Sequence, residues 1–111
     1  AGKKLKPTYT YLSAYVGDSD LPAHTDRPDC EYTVSFLVNK DADWPIYLHK
    51  VKQPIKYKGR YDFTPDKSEC LELHSDIGGL LIFDGTDHLH FREKYSGTYY
   101  DILLLHYRSY E

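Results

Sequence analysis

Methionine is absent from this chain, tryptophan occurs once, and cysteine occurs only twice, at Cys30 and Cys70. Two cysteines without a C-x-x-C spacing give no support to a cysteine-built metal site, and without a secretory segment they are expected to remain thiols. No apolar run is long enough for a signal segment or a membrane span, so neither export nor membrane insertion is expected, and a cytoplasmic setting is. Ala1-Gly2 stands where an initiator methionine is usual, and residues 1–7 are expected to be a processed or appended start without functional weight. An excess of one charge is also missing: 14 Lys and Arg face 17 Asp and Glu, a formal net charge of −3. A dedicated nucleic-acid surface is therefore not expected. The basic clusters Lys3, Lys4, Lys6 and Lys50, Lys52, Lys56, Lys58, Arg60 read as solvated loop or edge charge. Finally, no segment keeps a helical apolar period over three turns.

What the chain does have is tyrosine, 12 of them, and short β-branched or aromatic runs between turn signals. Gly17-Asp18-Ser19-Asp20, Asn39-Lys40-Asp41, Lys58-Gly59, Gly78-Gly79, Asp84-Gly85 and Ser96-Gly97 punctuate it. Strands are predicted at Thr8–Val16, Ala23–Asp26, Glu31–Asn39, Ile46–His49, Glu69–His74, Leu80–Phe83, His88–Arg92 and Thr98–Tyr110. Pro28, Pro54 and Pro65 fall outside the strongest runs, as strand chemistry requires. About eight short strands in one domain of 111 residues predict an all-β, double-sheet jelly roll of antiparallel strands. Residues 51–67 form the least regular stretch, an edge hairpin or a loop over one mouth.

The chemistry-bearing pattern is His24-Thr25-Asp26 with His90 far downstream. On an extended strand, His24 and Asp26 leave the same face. A third ligand must then come from a neighbouring strand, and His90 meets that condition. Two imidazoles and a carboxylate with three open positions suit a non-haem Fe(II) centre. His88 shares the face of His90 and competes with it. His49, His74 and His106 lack partner spacing and read as strand-face histidines with hydrogen-bond partners. Arg92, two after His90, is expected to face inward and to need an anion. A dicarboxylate cosubstrate, Glu31 and Asp101 are the candidates. Arg108 is a second candidate anchor, and Arg27 reads as an exposed ion-pair residue. Trp44-Pro45 is expected to cap a loop against the core. Tyr9, Tyr11 and Tyr15 alternate on one face and are expected inside, one hydroxyl reaching a bound acid. Asp84-Gly85-Thr86-Asp87 reads as the turn that delivers the following histidines.

Several segments carry a resemblance. Tyr15-Val16-Gly17, His24-Thr25-Asp26, Phe36-Leu37-Val38-Asn39-Lys40-Asp41, Gly79-Leu80-Leu81-Ile82-Phe83, His90-Phe91-Arg92-Glu93 and Tyr100-Asp101-Ile102-Leu103-Leu104 occur in an order that resembles the Fe(II)/2-oxoglutarate-dependent dioxygenases. The similarity is to the prolyl-hydroxylase-like branch and covers its catalytic core, a cupin-like double-stranded β-helix. The resemblance implies Fe(II) held by His24, Asp26 and His90, with 2-oxoglutarate and O2 consumed as a small molecule or peptide is hydroxylated. It implies a cosubstrate-binding role for Tyr15. That branch places a basic residue on the last strand near Tyr99; here none is adjacent, and Arg92 and Arg108 are the alternatives. The competing reading is a cupin-like binding module without turnover.

Overall fold

The computed structural model describes residues 5–26, 32–52 and 64–109. Eight strands follow one another: β1 (Leu5–Val16), β2 (Leu21–His24), β3 (Tyr32–Lys40), β4 (Ile46–Lys52), β5 (Cys70–Leu73), β6 (Leu80–Phe83), β7 (His88–Arg92) and β8 (Tyr99–Ser109). Every strand expected from the turn punctuation is present. β6 and β7 match to the residue; the others shift at their ends. Among the described residues the one helical element is a short 3-10 turn, Lys67–Glu69, and no helix is long and apolar enough to cross a membrane. Arg27, Cys30, Glu31 and most of the irregular stretch before Thr64 lie outside the described residues.

The strands form two antiparallel four-stranded sheets. One has the order β1-β8-β3-β6 and contains the long strands; the other has the order β2-β7-β4-β5 and contains mostly short ones. Their inner faces line a cleft from both sides, so the architecture is a β-sandwich. β8 lies between β1 and β3 and pairs with both along nearly its whole length. The turn before β6 needs Gly78, whose φ of 84° disfavours any residue with a Cβ. Its N–H donates to Leu37 O and thereby registers β6 against β3.

One end of the sandwich is closed by an aromatic plug of Trp44, Tyr95 and Tyr100 with Leu37 and Ile102. Trp44 caps the core as its sequence context predicts, and its indole N–H donates to Glu93 O. Asp41 ties the plug to the chain return before β8, accepting from the Tyr95 hydroxyl and from the backbone N–H groups of Thr98 and Tyr99. A second cluster, Ala23, Tyr47, Cys70, Leu89 and Phe91, lies on the short-stranded sheet. Leu89 and Phe91 alternate with the inward His90 and Arg92, so this cluster occupies the sheet's outer face. Cys70 is a buried free thiol.

Candidate metal centre

β2 and β7 are neighbours, and their register sets His24 opposite His90. β2 ends at His24, but the chain stays extended for two more residues, so Asp26 returns to the same side. The Asp26 N–H donates to Gly85 O at 2.7 Å, which fixes this segment against the β6–β7 turn. A Cβ at position 85 would overlap the Asp26 carboxylate, so glycine is required there for space. The Asp84-Gly85-Thr86-Asp87 segment is thus the expected turn, closed by Asp84 Oδ1 accepting from the Thr86 and Asp87 N–H groups.

Both histidines are oriented from behind. His24 Nδ1 lies 2.8 Å from Pro22 O, and His90 Nδ1 lies 3.0 Å from His88 O. A carbonyl oxygen only accepts, so each Nδ1 carries a proton and, in the neutral ring, each Nε2 presents a lone pair. The two Nε2 atoms stand 3.4 Å and 3.3 Å from the same oxygen, Asp26 Oδ1. Their ring centroids are 4.3 Å apart, and Phe83 packs edge-on against His90. Burial by itself raises the Asp26 carboxyl, but hydrogen bonds and charge from His24 and His90 outweigh it and hold the group far below the usual carboxylate range.

Those hydrogen bonds exist only while the rings are protonated; with both imidazoles neutral, three acceptors meet at one point with no donor between them. Only a proton or a cation relieves that arrangement. Ligands about 2.1 Å from one ion stand about 3 Å apart at right angles and about 3.4 Å apart at tetrahedral angles, so the two Nε2–Oδ1 separations are those of groups that can share a single metal ion. These three residues are the one group of potential ligands within mutual reach among the described residues.

The cleft beside the triad has an internal volume of about 90 Å³ and opens to solvent at its mouth. Tyr15, Ser35, Ile46 and Leu104 are among the residues along its walls, with Arg92 displaced along β7 from the triad. Arg92 is buried, as its face predicts. Its partners differ from the expectation of a carboxylate. The guanidinium donates to Trp44 O and lies over the rings of Trp44 and Tyr100, 4.9 Å and 5.2 Å from their centroids. The register sets Asp101 opposite Ala14 and Asn39, off the inward row of Tyr100 and Ile102, and no ion pair joins Arg92 to a described acid.

No protein-family model and no curated protein matches the chain.

Of the other expected residues, Tyr15 lines the cleft and meets Trp44 edge-on at 4.9 Å. Arg108 pairs in register with Lys6 near the strand ends and does not line the cleft. Tyr99 is 40% exposed and also stands outside it. Tyr99 falls on the opposite face of β8 from the inward Ile102, Leu104 and His106, whereas Arg108 shares their row but lies beyond the cleft near the strand end. The side chains of Tyr9 and Tyr11 lie outside the described set. His88 is held by His49 O and takes no part in the triad. His74 is exposed between Asp43 and Glu72, and His106 is buried against Thr33. Both have the partners expected of strand-face histidines.

Sequence reasoning gave no site role to Thr33 and Phe83, and read Gly85 only as part of a turn. Thr33 is a polar residue at an inward position of an apolar strand and pairs directly opposite His106. Two inward polar groups on strands that become neighbours was the signal available.

Proposed function

We propose that the protein is an Fe(II)- and 2-oxoglutarate-dependent hydroxylase built on a double-stranded β-helix, the jelly roll of the prolyl-hydroxylase-like dioxygenases. The strand orders β1-β8-β3-β6 and β2-β7-β4-β5 support the fold reading, since consecutive strands alternate between the two sheets except at the β4–β5 hairpin. The observation that carries the function is the convergence of two carbonyl-oriented Nε2 atoms and one carboxylate oxygen at the edge of an enclosed cleft.

His24, Asp26 and His90 hold the iron and leave the cleft side open. Fe(II) bound there would supply the reaction of O2 with 2-oxoglutarate, one oxygen atom going into succinate as carbon dioxide leaves and the other into a C–H bond of a small molecule or peptide. The protein's own part is binding and exclusion of water. A divalent ion, one carboxylate and one guanidinium leave a net double positive charge in the cleft, which a dicarboxylate neutralises. Arg92 lies two residues from His90 on one strand face, an advance of about 6.6 Å, a reach suited to a short diacid. Its guanidinium takes the far carboxylate, and the Trp44 and Tyr100 rings hold it flat for that contact. Tyr15, which lines the cleft, adds a hydrogen bond to the cosubstrate through its hydroxyl. A reducing cytoplasmic setting, which keeps Cys70 a thiol, belongs to this proposal.

The test is an oxygen-free titration with Fe(II) and 2-oxoglutarate. A visible charge-transfer band is expected, and Arg92→Ala should weaken 2-oxoglutarate about 10- to 100-fold, the loss of a charge-assisted pair, with iron affinity retained. Iron uptake with no band would favour the cupin-like binding module, a reading that the existing engagement of Arg92 by Trp44 O supports. No iron uptake at neutral pH overturns both.

A further inference from the structure

We infer that Thr33 and His106 are positioning residues for Asp26, acting as a directed hydrogen-bond chain from the opposite sheet. The inference rests on the metal reading above. Asp26 uses Oδ1 toward the two imidazoles; its other oxygen, Oδ2, accepts from the Thr33 hydroxyl at 3.5 Å. Thr33 Oγ1 in turn lies 3.1 Å from His106 Nδ1.

The direction of the chain follows from donor counting. An ionised carboxylate only accepts, and a hydroxyl has one proton to give. With that proton on Asp26, Thr33 Oγ1 must accept from His106, so the His106 proton sits on Nδ1. The chain therefore runs His106 Nδ1–H to Thr33 Oγ1–H to Asp26 Oδ2. One tautomer of a buried histidine thereby fixes which carboxylate oxygen is turned toward the ligand cluster.

The need for such a chain is local. His24 and His90 sit within strands, whereas Asp26 lies beyond the end of β2 and has no ladder on its own strand. Among the described residues its backbone is pinned through Gly85 O alone, and Thr33 alone donates a side-chain hydrogen bond to Oδ2. Thr33 and His106 are opposite each other on β3 and β8, the two interior strands of the long-stranded sheet, and are 2% and 5% exposed. The least constrained ligand is thus fastened to the most constrained part of the molecule. Partners of this kind typically carry 10- to 100-fold in metal affinity.

Oxygen-stable Co(II) serves as the probe, read by its visible d–d absorption, with urea unfolding of the metal-free forms as the control. Thr33→Val should bind Co(II) about 10- to 100-fold more weakly and alter the band shape as Oδ2 is released; Thr33→Ser should restore both. His106→Phe, which keeps a ring but lacks the donor, should shift the same way by a smaller factor and gives an independent arm if Thr33→Val does not fold. Wild-type affinity and band shape in Thr33→Val and His106→Phe overturn the positioning role and leave the metal reading standing. Failure of the wild-type protein to bind Co(II) removes the metal reading, and this inference with it.

Discussion

On the short-stranded sheet, Leu89 and Phe91 turn away from the cleft and are nevertheless buried, Phe91 stacking on Tyr47 with the Lys67 ammonium over the Tyr47 ring. On the long-stranded sheet, Leu12, Leu80 and Ile82 turn away from the cleft and are 63%, 58% and 66% exposed. The register makes that exposed surface continuous: Leu12, Leu103, Phe36 and Leu80 form one row across all four strands. The sheet that supplies the ligands is therefore packed on both faces. The other is held on one face by the core and along its length by the β1–β8–β3 ladder. Packing on both sides restrains the rotamers of β7, where His90 sits. Ladder length restrains β3 and β8, where the Thr33–His106 chain begins. Two different restraints serve one constellation.

The comparison can be broken first at Phe91. Phe91→Ala should cost about 3–5 kcal/mol, read by urea unfolding, because it opens a void on a doubly packed sheet. A loss below 1 kcal/mol would show that the outer cluster contributes little to holding β7. Next comes Gly85, at the join between β6 of one sheet and β7 of the other. Gly85→Ala should displace the Asp26 carboxylate and depress Co(II) affinity by about 10-fold or more; unchanged affinity would mean the turn yields without moving Asp26. Smaller still is Ile82→Lys on the open face, expected within about 0.5 kcal/mol of wild type. A destabilisation comparable with that of Phe91→Ala would erase the distinction between the two outer faces.

The smallest effect concerns the edge of the short-stranded sheet. His74 bridges Glu72 and Asp43, and these hydrogen bonds, Glu72 first, raise its pKa above the ordinary histidine value. A raised folded-state pKa contributes stability that is full below the unfolded value and lost as pH rises through the folded one. His74→Gln should accordingly lower the melting temperature slightly at mildly acidic pH and not at all in alkaline solution. The size is small because all three groups are exposed to solvent. A deficit that instead grew with pH would contradict the bridge.

The eight strands were legible because turn residues and apolar alternation are local signals. His24, Asp26 and His90 were legible because i, i+2 spacing translates directly into a shared face. The chemistry around Arg92 was not. Its sequence context indicated an inward guanidinium but could not reveal that the Trp44 carbonyl and two rings would meet it, since those partners arrive from the loop before β4 and from β8. Tyr99 and Arg108 stand outside the cleft for two different reasons: Tyr99 is on the other face of β8, and Arg108, on the inward row, lies past the cleft near the strand end. Likewise, alternation along β1 and β8 separates two faces without saying which one the rest of the chain covers. Thr33 and His106 become neighbours only once β3 and β8 are paired across 73 residues of sequence.

The two imidazoles differ in access: the His24 side chain is 22% exposed and that of His90 only 3%. Were the triad to hold an ion as proposed, that difference would set an order of events for its exchange. Water and competing chelators would approach over His24, so the His24 bond would be the first to open and the last to close, with His90 and Asp26 as a two-point seat. Substitutions beside His24 would then alter how fast the ion leaves far more than how tightly it is held.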